Sequence, residues 1–237
     1  MPPPNRPHFT PDPGWQAVDE YSLSHLHPTS RPNHETLEHA LENSKTKGLP
    51  PMQSSRAQAK FLALQCKLMR VKNVLEVGTL GAFASIYIAT ENPDCKITTI
   101  EFNPKHAEVA RENIGHAGVG DRVEVLVGPA VDILPDLLKE IEDGKRERFG
   151  MTFIDADKLN NWTYCDYGIK MSYSGAVIFV DNMACRGALV QEDSEDPHVI
   201  GARKAIEEVG RDDRVDGVVM QIVSEKNWDG FLMAVVK

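Results

Sequence analysis

The sequence predicts an α/β protein built on one doubly wound seven-stranded sheet, mostly parallel with an antiparallel last strand, preceded by N-terminal helices. Three observations carry this reading. From residue 74 onward, short apolar runs alternate with helical stretches, the rhythm of repeated strand-helix-strand units. Two of those runs, MTFIDADK from Met151 and GAVIFVDN ending at Asn182, are apolar until they stop in carboxylates, as parallel strands covered on both faces do. Near the end, VDGVVMQIV at 215–223 and GFLMAVV at 230–236 stand six residues apart, too close for a crossover helix, so they pair antiparallel.

The elements follow in order. Residues 1–14 hold six prolines and little that packs, which predicts a mobile arm ahead of one domain over 15–237. Trp15–His27 reads as a short helix. His34–Ser44 is amphipathic, with Leu37 and Leu41 on one face, and is ended by the Lys-Gly-Leu-Pro-Pro turn. Ser54–Met69 is a longer helix carrying Phe61, Leu62, Leu64 and Leu68, with Ser54-Ser55 as its N-cap. Strands are predicted at 74–78, 96–101, 122–128, 151–156 and 175–182, and helices at 83–91, 104–117, 130–143, 161–171 and 198–210, before the final hairpin. There is no internal repeat.

Bulk composition narrows the partners. Hydrophobic residues make up 41 % of 237, enough for one substantial core. A formal charge of −9 lacks the basic footprint that nucleic acid or an anionic membrane requires, so a small molecule or another protein is the expected partner. No run is long enough to span a bilayer, and MPPPNRPHF lacks the apolar centre of a signal peptide. Cys66, Cys95, Cys165 and Cys185 show no CxxC spacing, which fits idle thiols in a reducing compartment and makes the cytoplasm the default location. The eight histidines have no ligand spacing, and His25-Leu26-His27 is expected to be exposed.

Chemistry concentrates where the strands end. Asp155 and the pair Asp181-Asn182 close two strands joined by 18 residues, Leu159–Ala176, enough for one crossover helix that brings the strands side by side. Two carboxylates and an amide carbonyl, with no His or Cys among them, suit a hard divalent cation, Mg²⁺ before Zn²⁺. Lys158 hangs an amine over the same mouth. The plainer alternatives are an N-cap or turn role for each acid, and for Lys158 a surface pairing with Asp157. After the first strand, Glu76-Val77-Gly78-Thr79-Leu80-Gly81 provides a tight glycine turn without the GxGxxG spacing, and Glu76 sets a negative charge below it that suits a cationic or amino group. Glu101, ending the second strand, is placed to take the hydroxyls of an adenosine ribose. Of Trp162, Tyr164 and Tyr167, two are expected in the core. Met183–Asp196 reads as a mobile, substrate-facing loop with Arg186, and its acids Glu192–Asp196 as solvated.

Taken together, VLEVGTLGAFAS, TTIEFNPKHAEVARENI, GPAVDILPDL, FIDADKLNNWTY and VIFVDN resemble the cation-dependent class I S-adenosylmethionine O-methyltransferases, the caffeoyl-CoA and catechol O-methyltransferase group, over about residues 35–237. The tail, DNMACRGALVQEDSEDP and NWDGFLMAVV, is closer to the microbial members than to the plant coenzyme-A-ester enzymes. The resemblance implies a Rossmann-like fold and methyl transfer from S-adenosylmethionine to a hydroxyl of a catechol-like phenolic or flavonoid. It also implies Mg²⁺, with Ca²⁺ or Mn²⁺ as alternatives, and a homodimer. Position by position it implies Asp155, Asp181 and Asn182 as metal ligands and Lys158, with Asp155, as catalytic; if partly desolvated beside the metal, this lysine would have a lowered pKa and take the proton. Met52, Ser54, Glu76, Gly78, Thr79, Ala84, Glu101, Ala130, Asp157 and Tyr164 would line the cofactor pocket. Ala82-Phe83-Ala84 stands where the family usually has Gly-Tyr-Ser, so a serine hydroxyl is missing. The competing expectations are a nicotinamide-dependent oxidoreductase, which the missing GxGxxG disfavours, and a non-catalytic dimer that keeps the fold.

Overall fold

Among the described residues, seven strands and eight α-helices follow one another in the order the alternation predicts. The computed structural model describes residues 12–224 and 226–237. Three helices come first, α1 (Pro13–Leu26), α2 (His34–Thr46) and α3 (Arg56–Met69), the last capped by the Ser55 hydroxyl, which accepts from the Gln58 amide at 3.1 Å. Then come β1 (Asn73–Val77), α4 (Phe83–Glu91), β2 (Lys96–Glu101), α5 (Pro104–His116), β3 (Val123–Val127), α6 (Ala130–Glu142), β4 (Phe149–Ile154), α7 (Asn161–Met171), β5 (Ser172–Asp181), α8 (Pro197–Arg211), β6 (Val215–Val223) and β7 (Trp228–Val236). Of the arm expected over 1–14, all but its end lies outside the described residues. Its last two residues, Pro13 and Gly14, open α1, because Asp12 caps that helix by accepting from the Gly14 amide at 2.7 Å.

The sheet order is β3-β2-β1-β4-β5-β7-β6, and β7 alone runs against the rest. Strand order therefore reverses between β1 and β4, which opens a crevice beyond their carboxyl ends. Period-two alternation sorts the strand residues into two cores. Val74, Met151, Phe153, Val177 and Phe179 face α3, α4 and α5, whereas Leu75, Val77, Ile154, Ile178 and Val180 face α6, α7 and α8. Phe61, Phe179 and Phe231 meet with ring centroids 5.4–5.6 Å apart, seating α3 over β5 and β7. Strand β5 starts three residues before the predicted 175, because a register shift against β4 between Phe149 and Met151 adds a pair at Ser172, and Gly175 takes φ +87° at the bend.

Two smaller expectations are corrected. His27 is half-buried rather than exposed, since its Nδ1 lies 2.8 Å from the Tyr87 hydroxyl and ties the end of α1 to α4. Asp196 is buried rather than solvated, because it caps α8 by accepting from the His198 amide at 2.9 Å.

Helix α8 lies unusually close to the turn that carries Lys158. A Cβ on Gly201 would fall 1.9 Å from the Lys158 carbonyl oxygen, and backbone cannot yield as a flexible side chain can. Gly201→Ala should therefore cost roughly 1–3 kcal/mol in urea denaturation. Gly210→Ala on the same helix, where a methyl meets nothing within 4 Å, should instead stabilise by about 0.5–1 kcal/mol. Equal effects of the two substitutions would refute the close approach.

Candidate functional site

The glycine turn after β1 packs directly on the end of β4. Gly78 has φ +103°, and a Cβ there would lie 2.1 Å from the Asp155 carbonyl oxygen. Only glycine allows both the backbone conformation and the approach. The Asp155 amide donates to the Val77 carbonyl at 2.8 Å, and the Gly78 amide to that of Ile100 at 2.9 Å, so the turn is fixed from both neighbouring strands. Beneath it Glu76, 2 % exposed, accepts from the Thr99 hydroxyl at 2.5 Å and from the Ser85 hydroxyl. Burial pushes its carboxyl up to about 7, and the hydrogen bonds only partly oppose this.

Glu101 braces the same turn. Its Oε2 accepts from the Leu80 amide at 2.7 Å and the Thr79 amide at 3.2 Å, while Oε1 accepts from the Asn103 amide at 2.9 Å and faces His106 Nδ1 at 3.5 Å. Carboxylate oxygens offer about four lone-pair sites, so one more donor fits beside these. The Thr79 hydroxyl pairs with that of Thr99 at 2.6 Å.

On the other side of the cleft, Ile154 pairs with Val180, so Asp155 and Asp181 are the next residues in register on adjacent strands. Asp181 is buried, and burial together with the Asp155 charge pushes its carboxyl above the usual range. Its Oδ1 accepts from the Asn182 amide at 2.8 Å, and Asn182 has left-handed backbone with φ +62°. Lys158 Nζ lies 2.7 Å from Asp155 Oδ1 and is 7 % exposed. Burial alone would lower its pKa, but the charges of Asp155 and Asp181 outweigh burial and the net direction is upward. The partner of Lys158 is Asp155, not Asp157. Asp157 instead accepts from Asn160 Nδ2 at 2.6 Å and from the Tyr164 hydroxyl.

The residues expected to hold cation or cofactor all line one cleft of about 1130 Å³: Met52, Ser54, Glu76, Gly78, Thr79, Ala84, Glu101, Ala130, Asp155, Asp157, Lys158, Tyr164, Asp181 and Asn182. All three aromatics pack in or against the core, Tyr164 buried within it with its hydroxyl donating to Asp157, and Trp162 and Tyr167 half-buried against it, one more than the two expected. Among the described residues no group of three or more His, Cys, Asp or Glu is placed to hold a metal. The candidate donors are two carboxylates and one amide, a hard oxygen set that fits Mg²⁺, Mn²⁺ or Ca²⁺ and not a sulfur- or imidazole-seeking ion.

Three residues escaped the sequence reading. Ser85 directly follows the alanine that replaces the expected serine, and its hydroxyl goes to Glu76, not to the cleft surface. Gln58 hydrogen-bonds Asp181, and its signal was its place on the first turn of α3. Asp229, in NWDGF, left no signal of its own, because only the reversed strand brings it to this edge.

Over residues 27–233 the chain matches the O-methyltransferase family. It is 57 % identical to the O-methyltransferase imqG of Aspergillus flavus, across 97 % of this chain and 94 % of that one. It is 42 % identical to the catechol O-methyltransferase of Mycobacterium tuberculosis, across 84 % of this chain and 87 % of that one. The crystal structure of the Bacillus cereus O-methyltransferase in complex with SAH superposes with a TM-score of 0.87 at 40 % identity, covering 94 % of this chain and 99 % of that one.

Glu76 makes the stability of this chain depend on pH. Its folded-state pKa lies above the ordinary 4.5, so the folded chain holds the proton more tightly, and stability falls as pH rises from 4.5 through about 7. A shift of that size corresponds to on the order of 3 kcal/mol. Glu76→Gln, which mimics the protonated form, should match the wild type in urea denaturation at acid pH and exceed it above neutrality by up to that amount. Identical pH profiles for the two proteins would contradict the assignment.

Proposed function

Because the chain belongs to the S-adenosylmethionine-dependent O-methyltransferase family, of the catechol and caffeoyl-CoA type, we propose that it methylates one hydroxyl of a catechol-like phenolic or flavonoid with the help of a divalent cation. The observation that carries this is the meeting of Asp155, Asp181, Asn182 and Lys158 in the cleft that the Gly78 turn also lines. S-adenosylmethionine supplies an electrophilic methyl on a sulfonium. Glu76, a buried carboxylate beneath the turn, suits the amino group of its methionine end, and Glu101 Oε1 has room for a ribose hydroxyl. Tyr164 and Asp157 lock each other along the cofactor wall, and Ala84 and Ala130 let the cofactor lie close to two helix starts. Met52 and Ser54 sit ahead of α3 and cover the mouth.

Asp155, Asp181 and Asn182 would hold the divalent cation, which would supply Lewis acidity toward a vicinal diol. Lys158 Nζ is the proton acceptor. Its partner Asp155 would also be a ligand of the cation, and sharing that carboxylate would weaken the hold that keeps this amine protonated. The methyl leaves sulfur as the new carbon–oxygen bond forms, yielding a methyl ether, S-adenosylhomocysteine and one proton. The mostly buried free thiols support a cytoplasmic setting, and the family resemblance supports a homodimer. Among the described residues no helix is long and apolar enough to cross a membrane.

The test is methylated product measured by mass spectrometry across catechols, flavonoids, coenzyme-A esters and matched monophenols, with and without excess chelator. Vicinal diols should be methylated and monophenols not, and chelator should abolish turnover. Lys158→Ala should lower turnover by about 10²–10⁴-fold while leaving S-adenosylhomocysteine affinity by calorimetry close to wild type. Undiminished activity in excess chelator would remove the cation from the reaction.

A further inference from the structure

Asp229, the second residue of β7, is 7 % exposed and lines the cleft, yet the roles given so far leave it out. Its Oδ1 accepts three backbone amides, those of Ala184 and Cys185 at 3.1 Å and that of Gly230 at 3.0 Å. Beside this clasp the Met183 amide donates to the Gly230 carbonyl at 2.9 Å. The segment gripped in this way follows directly on Asp181. It contains backbone that L-residues avoid, with φ +62° at Asn182, +51° at Cys185 and +52° at Arg186. Such conformations persist only where the surroundings over-determine them. The Asn182 side chain makes no hydrogen bond to the described residues, so none of them holds it by that means.

We propose that Asp229 is a positioning residue: by clasping the Ala184 and Cys185 amides it holds the left-handed backbone of Asn182, and thereby the side-chain oxygen that completes the cation site with Asp155 and Asp181. This rests on the cation reading above. The Asp229 charge also reaches Lys158, which suggests a rival role through charge alone. The two roles separate cleanly, because asparagine at 229 keeps an oxygen for the three amides and removes the charge.

Mn²⁺ binding, followed by water-proton relaxation without acceptor or turnover, tests the clasp. Calorimetry with S-adenosylhomocysteine reports whether each variant keeps its fold. Asp229→Ala should bind Mn²⁺ about 10–100-fold more weakly than wild type, the loss typical when a group supporting a ligand is removed. Asp229→Asn should stay within about threefold of wild type, since the clasp survives. S-adenosylhomocysteine affinity should be unchanged in both. Should Asp229→Ala not fold, Asp229→Thr, with one hydroxyl for the three amides, should give Mn²⁺ affinity below that of Asp229→Asn. Wild-type Mn²⁺ affinity in Asp229→Ala would overturn the inference. So would equal weakness in Asp229→Asn, which assigns the effect to charge, or a parallel loss of S-adenosylhomocysteine binding, which assigns it to general unfolding. A wild type that takes up no Mn²⁺ would sink the cation reading itself and the clasp with it.

Discussion

Lys158 Nζ and Asp155 Oδ1 stand 2.7 Å apart where their side chains are only 6 % and 24 % exposed, and the rest of the edge is arranged around that pair. Withdrawing two such charges from water costs several kcal/mol each, which a single contact repays poorly. The surrounding acids change the balance. Burial opposes the charge of Lys158, and the charges of Asp155, Asp181 and Asp229 together outweigh it. Counted as ionised, three carboxylates against one ammonium leave two negative charges, three minus one, the charge of one divalent cation. The upward push on Asp181 comes first from its burial and then from the Asp155 charge. In a protein of net charge −9 this cluster needs no basic groove around it.

Close backbone approach joins that cluster to the cofactor side. The carbonyl of Asp155, a proposed cation ligand, is the atom a Cβ at Gly78 would strike, so the two halves of the cleft share one contact. Gly201 plays the same part below, letting α8 rest on the Lys158 carbonyl. A displacement of either turn is therefore felt by the other, because neither interface contains a flexible side chain to absorb it. Donor sulfonium and acceptor oxygen must be aligned in line, and a frame of backbone-to-backbone contacts suits that requirement.

How much of this could be read from residues alone depends on the range of the interaction concerned. Strand and helix order, the antiparallel end and the two acid-bearing strand ends followed from local periodicity, and helices α4 and α7 begin and end where the pattern placed them. Boundaries moved where a tertiary contact intervened, as at Ser172, where pairing with Phe149 lengthens β5. The charge balance at Lys158 depends on the number of facing carboxylates, which only the packed edge reveals. His27 and Asp196 were read as exposed from their polar neighbours, and each is drawn in by one hydrogen bond, to Tyr87 and to the His198 amide. Gly78 was recognised as a turn glycine, but not as the point of contact with Asp155, since nothing in a linear chain marks which backbone will lie opposite.

The reversed strand explains why Asp229 belongs to this edge. In a parallel sheet, each strand brings its last residues to the carboxyl edge, and Asp155, Asp181 and Glu101 all arrive there in that way. Strand β7 runs the other way beside β5, so its first residues, Trp228 and Asp229, meet the same edge, with Asp181 pairing Phe231. A parallel strand in that position would place its termination there and would need a further crossover to return. The hairpin from β6 needs only the short turn after Val223, in which the Ser224 amide donates to the Asn227 carbonyl at 2.9 Å. Because the reversal places a strand start next to a strand end, the acid beginning β7 lies within hydrogen-bond reach of the amides just past Asn182. Antiparallel closure of the sheet thus supplies a clasp that a uniformly parallel sheet, delivering only strand ends, has no element to provide.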